Sequence, residues 1–182
     1  MAQMKWDDLV LGDVETRNIM TRSSLPVGGY SVNPYVGCTH ACKYCYASFM
    51  KRFTGHTEAW GAFLDVKHWP EIKDPQKYAG QRVVIGSGTD GYLPQEETFC
   101  NTRRLLEQLR GSGAEILICT KSDLVLRDID LLRQLGRVTG SWSINTLDES
   151  FRADMDRAVS IERRLRAMKQ VYDAGIRTVC FV

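Results

Sequence analysis

The segment Gly37-Cys-Thr-His-Ala-Cys-Lys-Tyr-Cys-Tyr46 places Cys38, Cys42 and Cys45 within eight residues. A disulfide uses two thiols and a structural zinc uses four ligands, so three thiolates leave one coordination position open. Two centres accept that count. A tetrahedral zinc could add His40, although His40 sits between Cys38 and Cys42 on a short loop whose ligands must all turn inward. An iron-sulfur cube needs no fourth side chain when its last iron binds a substrate or cofactor. The residues alone leave both centres open. Three further polar clusters accompany the cysteines: Ser87 to Asp90, Thr120 to Ser122, and Ser143 to Thr146.

The chain that must position these residues has 182 of them, 43% hydrophobic and 25% charged, which is the composition of a soluble globular domain. Its formal charge of +2 does not by itself indicate a nucleic-acid or membrane partner. Arg103, Arg104, Arg163, Arg164 and Arg166 read as solvated helix faces. The first residues lack a signal-peptide profile, and no apolar run approaches the ~20 residues that span a bilayer, so a cytoplasmic protein with no membrane partner is expected. In a reducing compartment, clustered cysteines favour metal binding or catalysis over disulfides. Cys100, Cys119 and Cys180 stand apart in apolar contexts and read as small buried hydrophobes.

From residue 81 onward, apolar runs alternate with amphipathic segments. Residues 81–86, 114–120, 138–146 and 176–182 read as strands. Residues 97–110 read as a helix, as do a segment capped by Asp123 and running to about 135, and residues 161–174, ended by Gly175. Upstream, residues 30–36 predict a first strand, although Pro34 suits a strand end better than a centre. A helix is expected over 47–53, then an excursion over 54–80 holding one short strand near 62–66. Residues 1–29 are left as an N-terminal extension to a core of 30–182. About five strands and four helices in this order imply a parallel α/β sheet with right-handed crossovers. Each polar cluster then follows a strand, and in such folds ligands sit at the carboxyl ends of the strands.

Cys38-x3-Cys42-x2-Cys45 with Tyr44 and Tyr46 resembles the signature of the radical S-adenosylmethionine enzymes, and the preceding strand and following α/β repeats agree with it. The resemblance extends to the branch typified by spore photoproduct lyase. Ser87, Thr89, Asp90, Tyr92, Pro94 and Glu96 match that branch's Ser-x-Thr-Asp-x-Tyr-x-Pro-x-Glu pattern, Thr120, Lys121 and Ser122 its Thr-Lys-Ser, and Arg164 with Leu165 its Arg-Leu. The sequence departs from the branch at Gly88 and Gly91, which are expected to loosen the loop. There is also a similarity to a paired, mobile-element-borne group of radical enzymes.

The resemblance implies a partial parallel βα barrel in which Cys38, Cys42 and Cys45 hold a 4Fe-4S cluster whose fourth iron takes S-adenosylmethionine. It implies reductive cleavage to a 5′-deoxyadenosyl radical and lyase-like, repair-like or modifying chemistry on an unidentified substrate. It assigns Lys121 to the cofactor carboxylate, Ser87 and Thr89 to its amino group, Ser143 (with Asn145 nearby) to the ribose, and Arg164 to bracing that carboxylate or a neighbouring acid. Tyr44 or Tyr46 would pack on adenine or cover the cluster, and Asp90 would brace its loop. A one-electron donor such as flavodoxin or ferredoxin is implied as partner. Nothing in the chain resembles a DNA-reading element. Because a full barrel needs about 250 residues, the chain is expected to be cut short after the fifth strand, or completed by a paired protein or a second copy. The competing expectation is a zinc-stabilised nucleic-acid or protein-binding module using the same cysteines and His40.

Overall fold

The computed structural model describes residues 8–24 and 29–182. In chain order the strands are β1 (Val10–Glu15), β2 (Thr21–Arg22), β3 (Tyr30–Val32), β4 (Tyr35–Val36), β5 (Phe63–His68), β6 (Arg82–Ile85), β7 (Glu115–Thr120), β8 (Val138–Ser143) and β9 (Arg177–Phe181). The helices are α1 (Glu96–Phe99), α2 (Asn101–Gln108), α3 (Ile129–Leu135), α4 (Glu149–Met155) and α5 (Ile161–Asp173). The principal sheet has the order β2-β3-β6-β7-β8-β9, parallel throughout except for β2. A smaller sheet, β1-β5-β4, is built from the segments around the cysteine loop.

Successive strand residues point to opposite faces, and this periodicity divides the principal sheet. Val83, Ile85, Ile116, Ile118, Val138 and Trp142 form one buried core with Leu105, Leu106, Leu109, Leu131, Leu132, Ala167 and Val171 of the helices. The intervening Val84, Leu117, Cys119, Ser141 and Ser143 face the other way, into a cavity. Among the described residues, no helix is long and apolar enough to cross a membrane.

Several local expectations change in the structure. The strand expected over 30–36 is two strands in different sheets, separated at Asn33 and Pro34, where proline offers no ladder N–H. Residues before 30 contribute β1 and β2. The helix near 47–53 is a 3-10 helix over Tyr46–Phe53. The expected helix over 97–110 is broken at Cys100, whose φ of 53° is left-handed. There the buried Glu96 carboxylate accepts the Thr102 and Arg103 amides at 2.9 and 3.2 Å, capping α2 separately. Asp123 caps no helix with its side chain; a 3-10 turn, Leu124–Asp128, leads into α3, and Asp123 pairs with Arg163 at 2.7 Å. α4 buries none of its residues and so has no apolar period to announce it in the sequence. Its start is fixed by Asp148, which accepts the Ser150 and Phe151 amides at 2.8 and 3.1 Å.

The three isolated cysteines are not fully buried: Cys100 and Cys119 are half-buried and Cys180 is exposed. Cys119 lies on the cavity side of β7, and Cys180 lies on β9, which has one neighbouring strand among the described residues. The arginines do not form a common solvated face either. Arg103 pairs with Asp128 at 2.8 Å, Arg104 lies over Trp69, and Arg164 is fully buried.

Candidate active site

β3 leaves the principal sheet at Asn33 and β4 enters the small one at Tyr35, so the chain emerges between the two sheets directly into the cysteine loop. Gly37, at φ 85°, makes the turn; a side chain there would meet the Phe63 carbonyl oxygen at 2.5 Å. The loop faces a cavity of about 600 Å³ at the carboxyl ends of the parallel strands. Cys38, Cys42, Cys45, Tyr44, Tyr46, Ser87, Lys121 and Ser143 all line it, together with His40, Asp90, Cys119 and Asn145. Thr89 and Arg164 do not.

Asp90 ties the rim together. Its buried carboxylate accepts from the Thr120 hydroxyl at 2.8 Å, the Lys121 amide at 2.7 Å and the Tyr92 amide at 2.9 Å, and contacts His40 Nε2 at 3.0 Å. Loops after β4, β6 and β7 are thereby joined through one side chain. Burial opposes ionisation of Asp90, but the His40 charge and hydrogen bond, with the Tyr92 and Lys121 amides, outweigh it and hold the carboxyl at about 2. A carboxyl held below its unfolded value of about 3.9 contributes stability that is present above pH ~4 and is lost as pH falls through about 2. Urea unfolding at pH 6 and pH 3 should therefore show an acid-side loss in the parent, of roughly 2 kcal/mol when complete, that is reduced in Asp90→Asn. An equally steep loss in both proteins would contradict this role.

The turn after β6 is clasped from β3. Asn33 Oδ1 accepts the Gly88 and Thr89 amides at 2.8 and 3.1 Å, and the Ser31 and Ser87 hydroxyls are 2.5 Å apart. Thr89 is thus a buried turn residue, whereas Ser87 faces the cavity and its carbonyl accepts the Tyr46 hydroxyl. Gly86, at φ 92°, passes so close to β7 that a side chain would meet the Cys119 carbonyl oxygen at 2.3 Å. Gly91 does not loosen the loop, since its carbonyl accepts the Thr102 hydroxyl at 2.5 Å and the residue is buried.

The Lys121 ammonium lies 5.5 Å from the centre of the Tyr44 ring and forms no ion pair among the described residues. Tyr44 donates to Asp156 at 3.3 Å, and Asp156 is held by Arg164 at 2.6 Å. Arg164 also donates to the Ser143 carbonyl at 3.1 Å. It braces a neighbouring acid and a lining strand end from behind the cavity. The far side of the cysteine loop rests on the end of α4, through Lys43 N to Met155 O at 2.9 Å and Arg157 N to His40 O at 2.8 Å.

Burial, with the Asp90 charge adding, pushes the Cys38 thiol up to about 12. Burial also pushes Cys42 up to about 11, against the pull of Lys121. Both thiols hold their protons at neutral pH, so any metal centre that took them as ligands would have to displace those protons. For a mononuclear zinc, the donor set fits poorly. His40, the fourth ligand that such a zinc would need, has its Nε2 engaged by the buried Asp90 carboxylate at 3.0 Å.

Behind the rim, Glu96 and Asp128 are completely buried and share Arg127, at 2.6 and 2.9 Å. Tyr35 donates to Glu96, and Tyr92 donates to Asp128 at 3.1 Å. The Tyr92 and Glu96 positions of the sequence motif therefore support the site without lining it. Sequence reasoning missed Asn33, Asp156 and Arg127. Of these, only Asn33, placed before Pro34 at a strand end, carried a local signal.

The sequence profile of the Radical SAM superfamily matches residues 32–182. The chain is 32% identical over 170 residues to an uncharacterized protein of Methanocaldococcus jannaschii, covering 93% of this chain and 65% of that protein. It is 35% identical over 162 residues to an uncharacterized protein of Acidianus two-tailed virus, covering 82% of this chain and 53% of that one. A spore photoproduct lyase mutant with bound AdoMet and dinucleoside spore photoproduct has the same fold, with a TM-score of 0.69 over 96% of this chain and 50% of its own, at 19% identity. The chain spans 50% to 65% of the length of these relatives.

Proposed function

Because the chain belongs to the radical S-adenosylmethionine superfamily, we propose that it binds a 4Fe-4S cluster through Cys38, Cys42 and Cys45 and reductively cleaves S-adenosylmethionine. The observation that carries this reading is the joint placement, on one cavity, of those three thiols and a Lys121 ammonium that forms no ion pair among the described residues. Three thiols on one loop lining one cavity are the donor count that a cube with an open fourth iron takes. When bound, the reduced cluster supplies the electron that breaks a carbon–sulfur bond of the sulfonium and yields a 5′-deoxyadenosyl radical.

The chain's own residues bind and orient the cofactor. The Lys121 ammonium pairs with its carboxylate, a charge-assisted contact in a partly closed site. Oxygens of the turn at Ser87 accept from its amino group, for which the Tyr46 hydroxyl must share or yield the Ser87 carbonyl. Ser143 and Asn145, which line the cavity, would take the ribose, and Tyr44 or Tyr46, lining it too, would pack on the adenine or cover the cluster. Arg164 acts through Asp156 and the Ser143 carbonyl, and Thr89 through the turn that Asn33 holds. A cavity of about 600 Å³ lies within the ordinary range for such a ligand. The dinucleoside bound by the spore photoproduct lyase mutant is a reasonable first substrate to offer. Mass spectrometry of 5′-deoxyadenosine made with deuterated candidates identifies the substrate by transferred label.

Lys121→Ala should weaken S-adenosylmethionine binding by about tenfold to a hundredfold, or ~1.5–3 kcal/mol, with iron content unchanged. Anaerobic calorimetry on the reconstituted proteins measures this. Equal affinity would make Lys121 an ordinary surface lysine.

A further inference from the structure

The cysteine loop is seated on a segment that follows it in the chain. Gly37 lies against Phe63, where a side chain would meet the ring at 2.9 Å as well as the carbonyl. Ala41, between Cys38 and Cys42, is left-handed at φ 47°, a conformation that a residue with a side chain keeps only when its surroundings impose it. Gly61 approaches it so closely that a side chain there would meet the Ala41 methyl at 2.4 Å. One imidazole holds this seat. His56 stacks on the Phe63 ring with centroids 3.9 Å apart, and Trp60 packs edge-on against the same ring at 5.8 Å. His56 Nε2 meets the Asp65 carboxylate at 3.0 Å, and Nδ1 meets Glu58 at 3.1 Å. A neutral imidazole carries one N–H and can donate to only one of them, so the two contacts together are satisfied by the imidazolium. Asp65 is buried on β5, and among the described residues His56 is its ion-pair partner.

We infer that His56 is a positioning residue for the cysteine loop: gripped by Asp65 and Glu58, it fixes Phe63 and the segment through Gly61, and with them the seat of Gly37 and Ala41. The arrangement of the three thiols then depends on a residue that does not line their cavity. The inference rests on the cluster reading only for the purpose of that arrangement. The groups facing His56 are Glu58 of its own loop and Asp65 of β5; Gly12 of β1, against which the Asp65 carboxylate lies, brings no charge. The 3-10 helix Tyr46–Phe53 contributes Lys51, whose ammonium donates to the neighbouring Thr57 carbonyl at 2.9 Å. Burial opposes the His56 charge, but the hydrogen bonds and charges of Asp65 and Glu58 outweigh it and raise its pKa above the ordinary value. A histidine raised above its unfolded value of about 6.5 gives support that is fully present below that pH and is lost as pH rises through the folded value.

The test is hydrogen–deuterium exchange of the full chain, metal-free and reduced, followed by mass spectrometry from about pH 6 to about pH 9 and corrected for the intrinsic exchange rate. In the parent, residues 37–46 should lose about tenfold of their protection across this range, while β7 and β8 stay protected. His56→Gln should exchange the loop about tenfold faster than the parent at about pH 6, without the pH dependence and with β7 and β8 at the parental level. Glu58→Gln, at a half-buried position that leaves the fold intact, should lose loop protection at a lower pH than the parent, because one of the two charges that hold the proton is gone. A merely structural contact would not move that midpoint. His40, which meets Asp90 from the same loop, is present in all three proteins, so its contribution cancels in the comparison. Loop exchange in His56→Gln within about twofold of the parent overturns the assignment, as does an unchanged midpoint in Glu58→Gln. Loss of protection in β7 and β8 together with the loop also overturns it, since His56 would then serve general stability. If the loop responds as stated but the reconstituted parent takes up no iron or sulfide, the cluster reading falls and the positioning role stands.

Discussion

Alanine at Cys38, Cys42 or Cys45 should abolish the proposed reductive cleavage of S-adenosylmethionine and strip the reconstituted protein of most of its iron and labile sulfide. A cube held by two thiolates is lost or misplaced, and Cys119, although it faces the same cavity, lies across it on β7. Alanine at Cys100, Cys119 or Cys180 should leave iron content and cleavage near the parental level. Anaerobic reconstitution, iron and sulfide analysis, and chromatography of 5′-deoxyadenosine measure both arms. If the triple variant Cys38→Ala/Cys42→Ala/Cys45→Ala still forms 5′-deoxyadenosine with dithionite, the assignment of the loop is wrong.

The largest effect on stability is expected behind the rim. Arg127→Ala removes the cation shared by Glu96 and Asp128, both with no solvent exposure. Asp128 keeps Arg103 at 2.8 Å, but Glu96 is left without a cation. Stranding a buried charge in this way costs about 3–5 kcal/mol. The pair Arg137–Glu115 is the control, because its side chains are 66% and 48% exposed and Arg137→Ala should cost less than about 1 kcal/mol. Urea unfolding of the two variants against the parent decides it. Losses of similar size would mean that the buried network has no special weight.

The parallel sheet was legible because its strands have a simple pattern. Val83, Ile85, Ile116 and Ile118 alternate with residues of the cavity face, and Gly86, Thr120 and Ser143 mark where strands give way to loops or reach their ends. The cysteine loop was legible from spacing alone. Less visible were features set by contacts distant in sequence. The break at Cys100 depends on where the Glu96 carboxylate points, and periodicity carries no information about that. Arg164 resembled a helix-surface arginine because Asp156, its partner, lies in a segment with no apolar period. His40 drew attention as a fourth metal ligand, and its place against Asp90 follows from the convergence of three loops that only the fold brings together. β1 and β5 pair across more than fifty intervening positions, so neither strand announces the small sheet by itself.

The most direct test of the central claim is the product formed by the parent protein. Reconstituted anaerobically, reduced with dithionite and given S-adenosylmethionine, it should carry about four irons with labile sulfide and release 5′-deoxyadenosine and methionine in equal amounts. A colourless protein that binds one zinc tightly and leaves S-adenosylmethionine intact under the same conditions would contradict the account.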